Sequence, residues 1–264
     1  MSWNARNAVA LASISALNGI AIANVSAVNG ITTAPLGNSL LTDLVSYWPM
    51  DEASGNAIDA HAANDLTDVN TVAAATGKVN GARDFNGTNE RFILTDNADV
   101  SIGDIDVTFA CWVYLDAKGG DKYVFAKDDE GGVGREYGLL FDNFEDRFVW
   151  QVSGNGTGMT RIKADNLGSP SLSTWYFIVV RHSASGNVIG IKVNDGTENT
   201  VSHTTGIIDG TAPFLVGCGM VTAVTWKYWN GLIDEVGLWK RALTGAECTD
   251  LYNAGAGRDY SYFT

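Results

Sequence analysis

Cysteine is scarce in this chain, and the scarcity is a constraint. Cys111, Cys218 and Cys248 stand far apart with no CxxC pair, which argues against a disulfide scaffold and a cysteine-based zinc site. Cys111, inside the apolar run 109–114, reads as a buried reduced thiol. Proline is nearly missing, with 4 residues against 30 glycines, so Gly, Asn and Asp must make the turns. Histidine is equally rare. His61, His182 and His203 fall in no triad context, and each reads as a surface or capping residue. Positive charge is short as well: 30 acids against 17 Lys and Arg leave a net charge of −13, a field that repels phosphate backbones and anionic lipid. No apolar run reaches the ~18 residues a spanning helix requires. Neither nucleic-acid binding nor membrane insertion is expected, and the chain is expected to be soluble. Arg6 and the Ala- and Ile-rich stretch after it have the look of a secretory leader, but Asn18, Gly19 and Asn24 interrupt its apolar core, so no leader is expected.

What is abundant points to strands. The 8 Trp, 9 Tyr and 10 Phe suit pleated, half-buried surfaces. From Leu44 onward, short apolar runs alternate with Gly, Asn and Asp clusters. The pattern predicts strands over 44–50, 82–85, 91–94, 107–115, 123–127, 136–141, 147–152, 160–163, 175–182, 188–193, 213–217 and 231–239. That number fits one two-sheet antiparallel sandwich over 44–264. The run 175–182 alternates only in part and reads as buried on both faces. Near the end, Thr244 with Glu247 three residues on forms a capping box that starts a short helix over 245–252.

The first 34 residues are organised differently. Residues 2–9 (SWNARNAV), 13–20 (SISALNGI) and 24–31 (NVSAVNGI) align at a period of eleven. Trp3, Ile14 and Val25 share an apolar column, and Asn18-Gly19 and Asn29-Gly30 supply the positive φ that tight turns need. Each row reads as strand, turn, strand. Rows this small cannot bury their own apolar side, so the arm (1–34) is expected to need other copies of itself or another protein. Residues 35–43 would be the linker. Such Asn-Gly-Ile arms resemble N-terminal segments of structural proteins of tailed bacteriophages. The resemblance implies a virion-surface protein of the capsid-decoration or fibre type, anchored by residues 1–34 to a capsid or tail scaffold protein and oligomeric, most simply trimeric.

Five segments of the main domain resemble the laminin-G-like family of concanavalin A-type lectin and glucanase folds: VSYWPMDEASG (45–55), GARDFNG (81–87), VTFACWV (107–113), WYFIVV (175–180) and GLIDEVGLWKRALTGAE (231–247) leading to LYNAG (251–255). The resemblance spans about 210 residues and implies a jelly-roll sandwich whose two ends meet, with a structural calcium ion near the rim. Asp51 and Asp234 match the family's acidic end-strand positions, and Asn86 offers further oxygens.

Glucanases of this architecture carry a Glu-x-Asp-x-Glu strand, and this sequence has none. Asp234 and Glu235 are adjacent, and regular alternation would point them to opposite faces. No catalysis is therefore expected. The ligand contacts expected are Trp226, Tyr228 and Trp229, whose rings can stack on sugars, with Asp128 and Arg135 from the Gly-rich loop 127–136. Two functions follow: a virion protein displaying a lectin-like domain, or a free or cell-surface carbohydrate-binding module meeting a host-surface glycan.

Overall fold

In a computed structural model, the described residues are 39–128, 134–222 and 225–264, together with four two-residue strands of the arm. Within the arm, β1 (Ala16–Leu17) pairs antiparallel with β2 (Ile20–Ala21), and β3 (Ala27–Val28) pairs with β4 (Ile31–Thr32) in the same register eleven residues later. Trp3, Ile14, Asn18, Gly19, Val25, Asn29 and Gly30 lie outside the described residues.

The main domain is a sandwich of two large antiparallel sheets. Its strands are β5 (Leu44–Trp48), β6 (Thr67–Val69), β7 (Ala73–Thr76), β8 (Gly81–Asn86), β9 (Arg91–Leu94), β10 (Val107–Leu115), β11 (Lys122–Lys127), β12 (Arg135–Asp142), β13 (Arg147–Gly156), β14 (Thr160–Lys163), β15 (Trp175–Ser183), β16 (Val188–Val193), β17 (Asn199–Ser202), β18 (Phe214–Val216), β19 (Cys218–Thr222), β20 (Thr225–Tyr228) and β21 (Asn230–Trp239), followed by helix α1 (Gly245–Tyr252). One sheet has the order β17-β16-β15-β10-β21-β8-β7, with β5 also paired to β21. The other runs β14-β13-β12-β11-β18-β9-β6, and β19–β20 form a separate hairpin.

Alternation explains the core. Phe109, Cys111 and Val113 of β10 face Phe125, Tyr137, Leu139, Trp150 and Phe214 of the opposite sheet in one cluster. Phe109 is its hub, with ring centroids 4.8 Å from Phe125, 5.1 Å from Tyr137 and 5.9 Å from Trp150. The three cysteines are buried free thiols.

The outer faces of the two sheets differ, and the difference positions the site. On the eight-stranded sheet, Ala110, Trp112, Phe177, Val179 and Trp239 are covered by Leu251 of α1 and by Phe263, so β15 is buried on both faces as its composition predicts. Thr244 caps α1 by accepting from the Glu247 N–H, and Glu247 reciprocates. β5 closes the ends of the domain by pairing with β21, Trp48 opposite Val236. The outer face of the seven-stranded sheet carries only a small apolar cluster of Tyr123, Ala126, Leu140 and Val149. The rest of that face is polar.

Two sequence expectations give way here. His182 is fully buried and His203 nearly so, their rings 5.6 Å apart; only His61 lies on the surface, bonded through Nδ1 to the Tyr260 hydroxyl. The acids of β21 do not follow regular alternation either. Ile233 and Val236 both enter the core, so one residue between them is extra. Glu235 is that residue, at φ 50° in a bulge where Ala110 and Trp112 oppose Gly237 and Asp234. Asp234 stands opposite Trp112 on the outer side, and Glu235 turns to the same side beside Tyr47. The two carboxyls therefore share a face.

Candidate ligand-binding site

On the polar face of the seven-stranded sheet lies a depression of about 310 Å³, within the ~300–1,000 Å³ range of small-ligand sites. Side chains of four adjacent strands build it because outward positions on neighbouring strands come into line. Tyr123 and Leu140 form its apolar floor, and Gln151, Asp142 and Arg161 stand around them. Gln151 Nε2 donates to the Tyr123 hydroxyl at 3.0 Å. Burial pushes the Tyr123 phenol up to about 12, so it stays protonated at neutral pH and can donate a hydrogen bond.

Two acid–guanidinium pairs flank this floor. At one end Arg161 donates to Asp142 Oδ2 at 2.5 Å, while Asp142 Oδ1 accepts the N–H groups of Phe144 and Glu145 and so fixes the β12–β13 turn. Burial raises the Asp142 pKa, but the Glu145 amide and Arg161 outweigh it, and the net shift is downward. At the other end Arg135 Nε lies 3.9 Å from Asp128 Oδ1. Asp128 and Arg135, expected from the Gly-rich loop 127–136, thus line the depression with residues that sequence reasoning missed. Gln151 and Arg161 sit inside ordinary strands, and only the register across β12, β13 and β14 brings them beside Asp128 and Arg135.

The aromatic trio divides. Trp229 is fully buried in the core, its Nε1 donating to the Leu232 carbonyl, so it contacts no ligand and is removed from the expected set. Trp226 and Tyr228 stack with centroids 6.1 Å apart and an interplanar angle of 14°. Arg91 lies over the Trp226 ring at 4.6 Å, so one face of that ring is already taken. Their hairpin leans on the site: Gly219 of β19 is packed on the Tyr123 ring, where a Cβ would stand 2.5 Å away.

The residues proposed for calcium are also divided. Asp51 Oδ1 accepts the Gly81 N–H at 2.7 Å, and Asp234 Oδ2 accepts those of Lys78 and Val79 at 2.8 and 2.9 Å, which brings both acids to the β7–β8 hairpin. Asn86 lies at the far end of β8, opposite Asn230, and holds the 86–89 turn; it does not join them. Among the described residues, Asp234 Oδ1 and both Glu235 oxygens are buried with no hydrogen-bond partner. Burial drives Asp234 up to about 8 and Glu235 to about 9, with Asp51 adding to the first and Asp234 and Asp51 to the second. No group of three or more His, Cys, Asp or Glu side chains in metal-holding geometry occurs among the described residues. An ion here would need backbone carbonyls to complete the six to eight oxygens calcium prefers.

The sequence profile of the concanavalin A-like lectin/glucanases superfamily matches residues 86–249, and the chain belongs to that family. No curated protein matches the sequence. Among solved structures, domain 4 of AbnA, an extracellular GH43 arabinanase of Geobacillus stearothermophilus crystallised with arabinotriose, is 18% identical with a TM-score of 0.58 over 79% of this chain and 97% of that one. The binding domain of Paraclostridial Mosquitocidal Protein 1 is 15% identical, TM-score 0.64, over 82% of this chain and 53% of that one. Botulinum neurotoxin type C, whose cell entry depends upon interaction with two ganglioside molecules, is 10% identical, TM-score 0.62, over 82% and 52%. This chain therefore spans about half the length of the two toxin chains. Likeness at these identities establishes a lectin-like fold.

Proposed function

We propose that the protein is a non-catalytic carbohydrate-binding module that holds glycan on the outer face of its seven-stranded sheet. The observation that carries this reading is the hydrogen-bonded Tyr123–Gln151 pair flanked by the Arg161–Asp142 and Arg135–Asp128 pairs. Such pairs place a donor beside an acceptor, the arrangement that vicinal sugar hydroxyls satisfy. AbnA domain 4, which is similar along nearly its whole length, was crystallised with arabinotriose, and this supports the reading. Asp234 and Glu235 are closed off from solvent, so neither reaches a sugar. On a glycan array, the full chain should give saturable binding that Gln151→Ala and Arg161→Ala each weaken. Retention of the same glycans by both variants would refute the site.

Asp51 and Asp234, with Glu235 in place of Asn86, are where a structural calcium ion would sit, since it would satisfy the partnerless Asp234 and Glu235 oxygens.

A virion setting rests on a separate observation, the two antiparallel strand pairs repeated eleven residues apart in the arm. In this reading residues 1–34 attach to a capsid or tail scaffold protein and associate with other copies, and the lectin-like domain faces outward. Deleting 1–34 should leave a folded sandwich that neither assembles nor attaches; assembly by the truncated form would overturn it.

A further inference from the structure

We infer that the groove takes an uncharged glycan and reads it as an extended chain, an inference that rests on the carbohydrate-binding reading above. The charge argument comes first. Three acids (Asp121, Asp128, Asp142) and two guanidiniums (Arg135, Arg161) line the groove, so it holds more negative than positive charge, in a molecule whose net charge is already −13. Both guanidiniums face carboxylates at close range. The carboxylates are the sunken members, with side chains 5% and 8% exposed, whereas Arg135 and Arg161 reach outward at 29% and 41%. A sialic acid, uronic acid or sulfated sugar seeking a bidentate guanidinium contact must share Arg161 with Asp142, which already accepts from its Nη2. Asp142 cannot withdraw easily, because its other oxygen holds the turn through two backbone N–H groups. Two anions would then crowd one guanidinium. A neutral sugar meets no such conflict, since its hydroxyls can accept from the guanidinium and donate to the carboxylate together.

The length argument is independent of charge. Arg135 begins β12 and Asp142 ends it, so the two pairs stand roughly 20 Å apart at ~3.3 Å per residue. Tyr123 and Gln151 provide polar contacts between them. Hydrogen-bonding groups distributed over that distance exceed the span of one pyranose ring. The exposed Phe144 ring, 92% accessible on the turn that Asp142 fixes, adds an aromatic surface at one end. A chain lying along β12 would engage both pairs, whereas a single terminal sugar would engage one.

The test is isothermal titration of the full chain with neutral arabino-, xylo-, cello- and malto-oligosaccharides from monosaccharide to hexasaccharide, beside sialyllactose, oligogalacturonate and a heparin oligosaccharide. At least one neutral series should bind, with affinity rising at least about tenfold from its monosaccharide to its longer members and unchanged from low to high salt. Arg161→Gln, at a half-exposed position that keeps the fold, should cost about tenfold in that series, and Gln151→Ala a comparable amount. Binding of the acidic probes with the neutral series silent would overturn the inference while leaving carbohydrate binding intact. A monosaccharide that binds as tightly as its hexasaccharide would overturn the extended-chain part. Silence of the whole panel would overturn the carbohydrate-binding reading itself.

Discussion

Trp226 and Trp229 are three residues apart and do different work. Trp229 is fully buried in the main core cluster, so Trp229→Ala should cost ~3–5 kcal/mol, the usual range for emptying a large aromatic site, read as a lowered denaturation midpoint. Trp226 is half-buried and stacked between neighbours; Trp226→Ala should destabilise far less and weaken glycan binding less than Arg161→Ala. A larger effect on binding would move the site to the β19–β20 hairpin. His182 supplies a pH signature. Burial lowers its pKa from 6.5, and His203 adds to the shift against the bond to the Ile105 carbonyl. The unfolded chain therefore takes up this proton first, so the contribution is present above pH 6.5 and is lost as the pH falls below it. Thermal melts across this range should show that limb in the wild type and a flatter one in His182→Gln.

At the scale of elements, the sequence was most legible where hydrophobic runs were long. β10 and β16 lie where the apolar runs predict, and Thr244 with Glu247 marks the start of α1. Removing that cap by Thr244→Ala should cost ~1 kcal/mol, with Glu247 also losing a partner of its Arg241 and Ser39 network; a calorimetric scan measures the loss. The sequence reading does not give β6, β7 and β17, whose three or four mostly polar or small residues, as in Thr67-Asp68-Val69 or Ala73–Thr76, carry no hydrophobic period, nor the β19–β20 hairpin. The bulge at Glu235 was equally invisible, since it appears only as a register shift against β10. The site fell between these cases. Asp128 and Arg135 were legible as charged residues around a Gly-rich loop, whereas Gln151 and Arg161 look like ordinary strand residues until the four strands are aligned.

For the whole molecule, the sandwich is asymmetric: one outer face is covered by α1 and the C-terminal segment, and the other carries the polar depression beside the β19–β20 hairpin. The covered side carries the strained acids. Because the folded-state pKa values of Asp234 and Glu235 are raised to about 8 and about 9 from 3.8 and 4.5, the folded state holds protons that the unfolded chain has lost at neutral pH. Their contribution is fully present below the ordinary carboxylate range and is lost as the pH rises through 8 to 9. Without added metal, these acids should make stability decline as the pH rises from the ordinary carboxylate range up to about 8 to 9, and Asp234→Asn should flatten the decline. Calcium added at pH 8 should raise the melting temperature of the wild type and not of Asp234→Asn; equal melts with and without calcium would remove the ion from the account.

The central claim is that the open sheet face is where glycan is held. Hydrogen-exchange mass spectrometry of the full chain, with and without a saturating neutral oligosaccharide, tests it most directly. The account predicts added protection in peptides spanning β11 to β14 and the β12–β13 turn, with α1 and the β7–β8 hairpin unchanged. Protection confined to the β19–β20 hairpin or to the β7–β8 hairpin, with β11 to β14 unaltered, would contradict it.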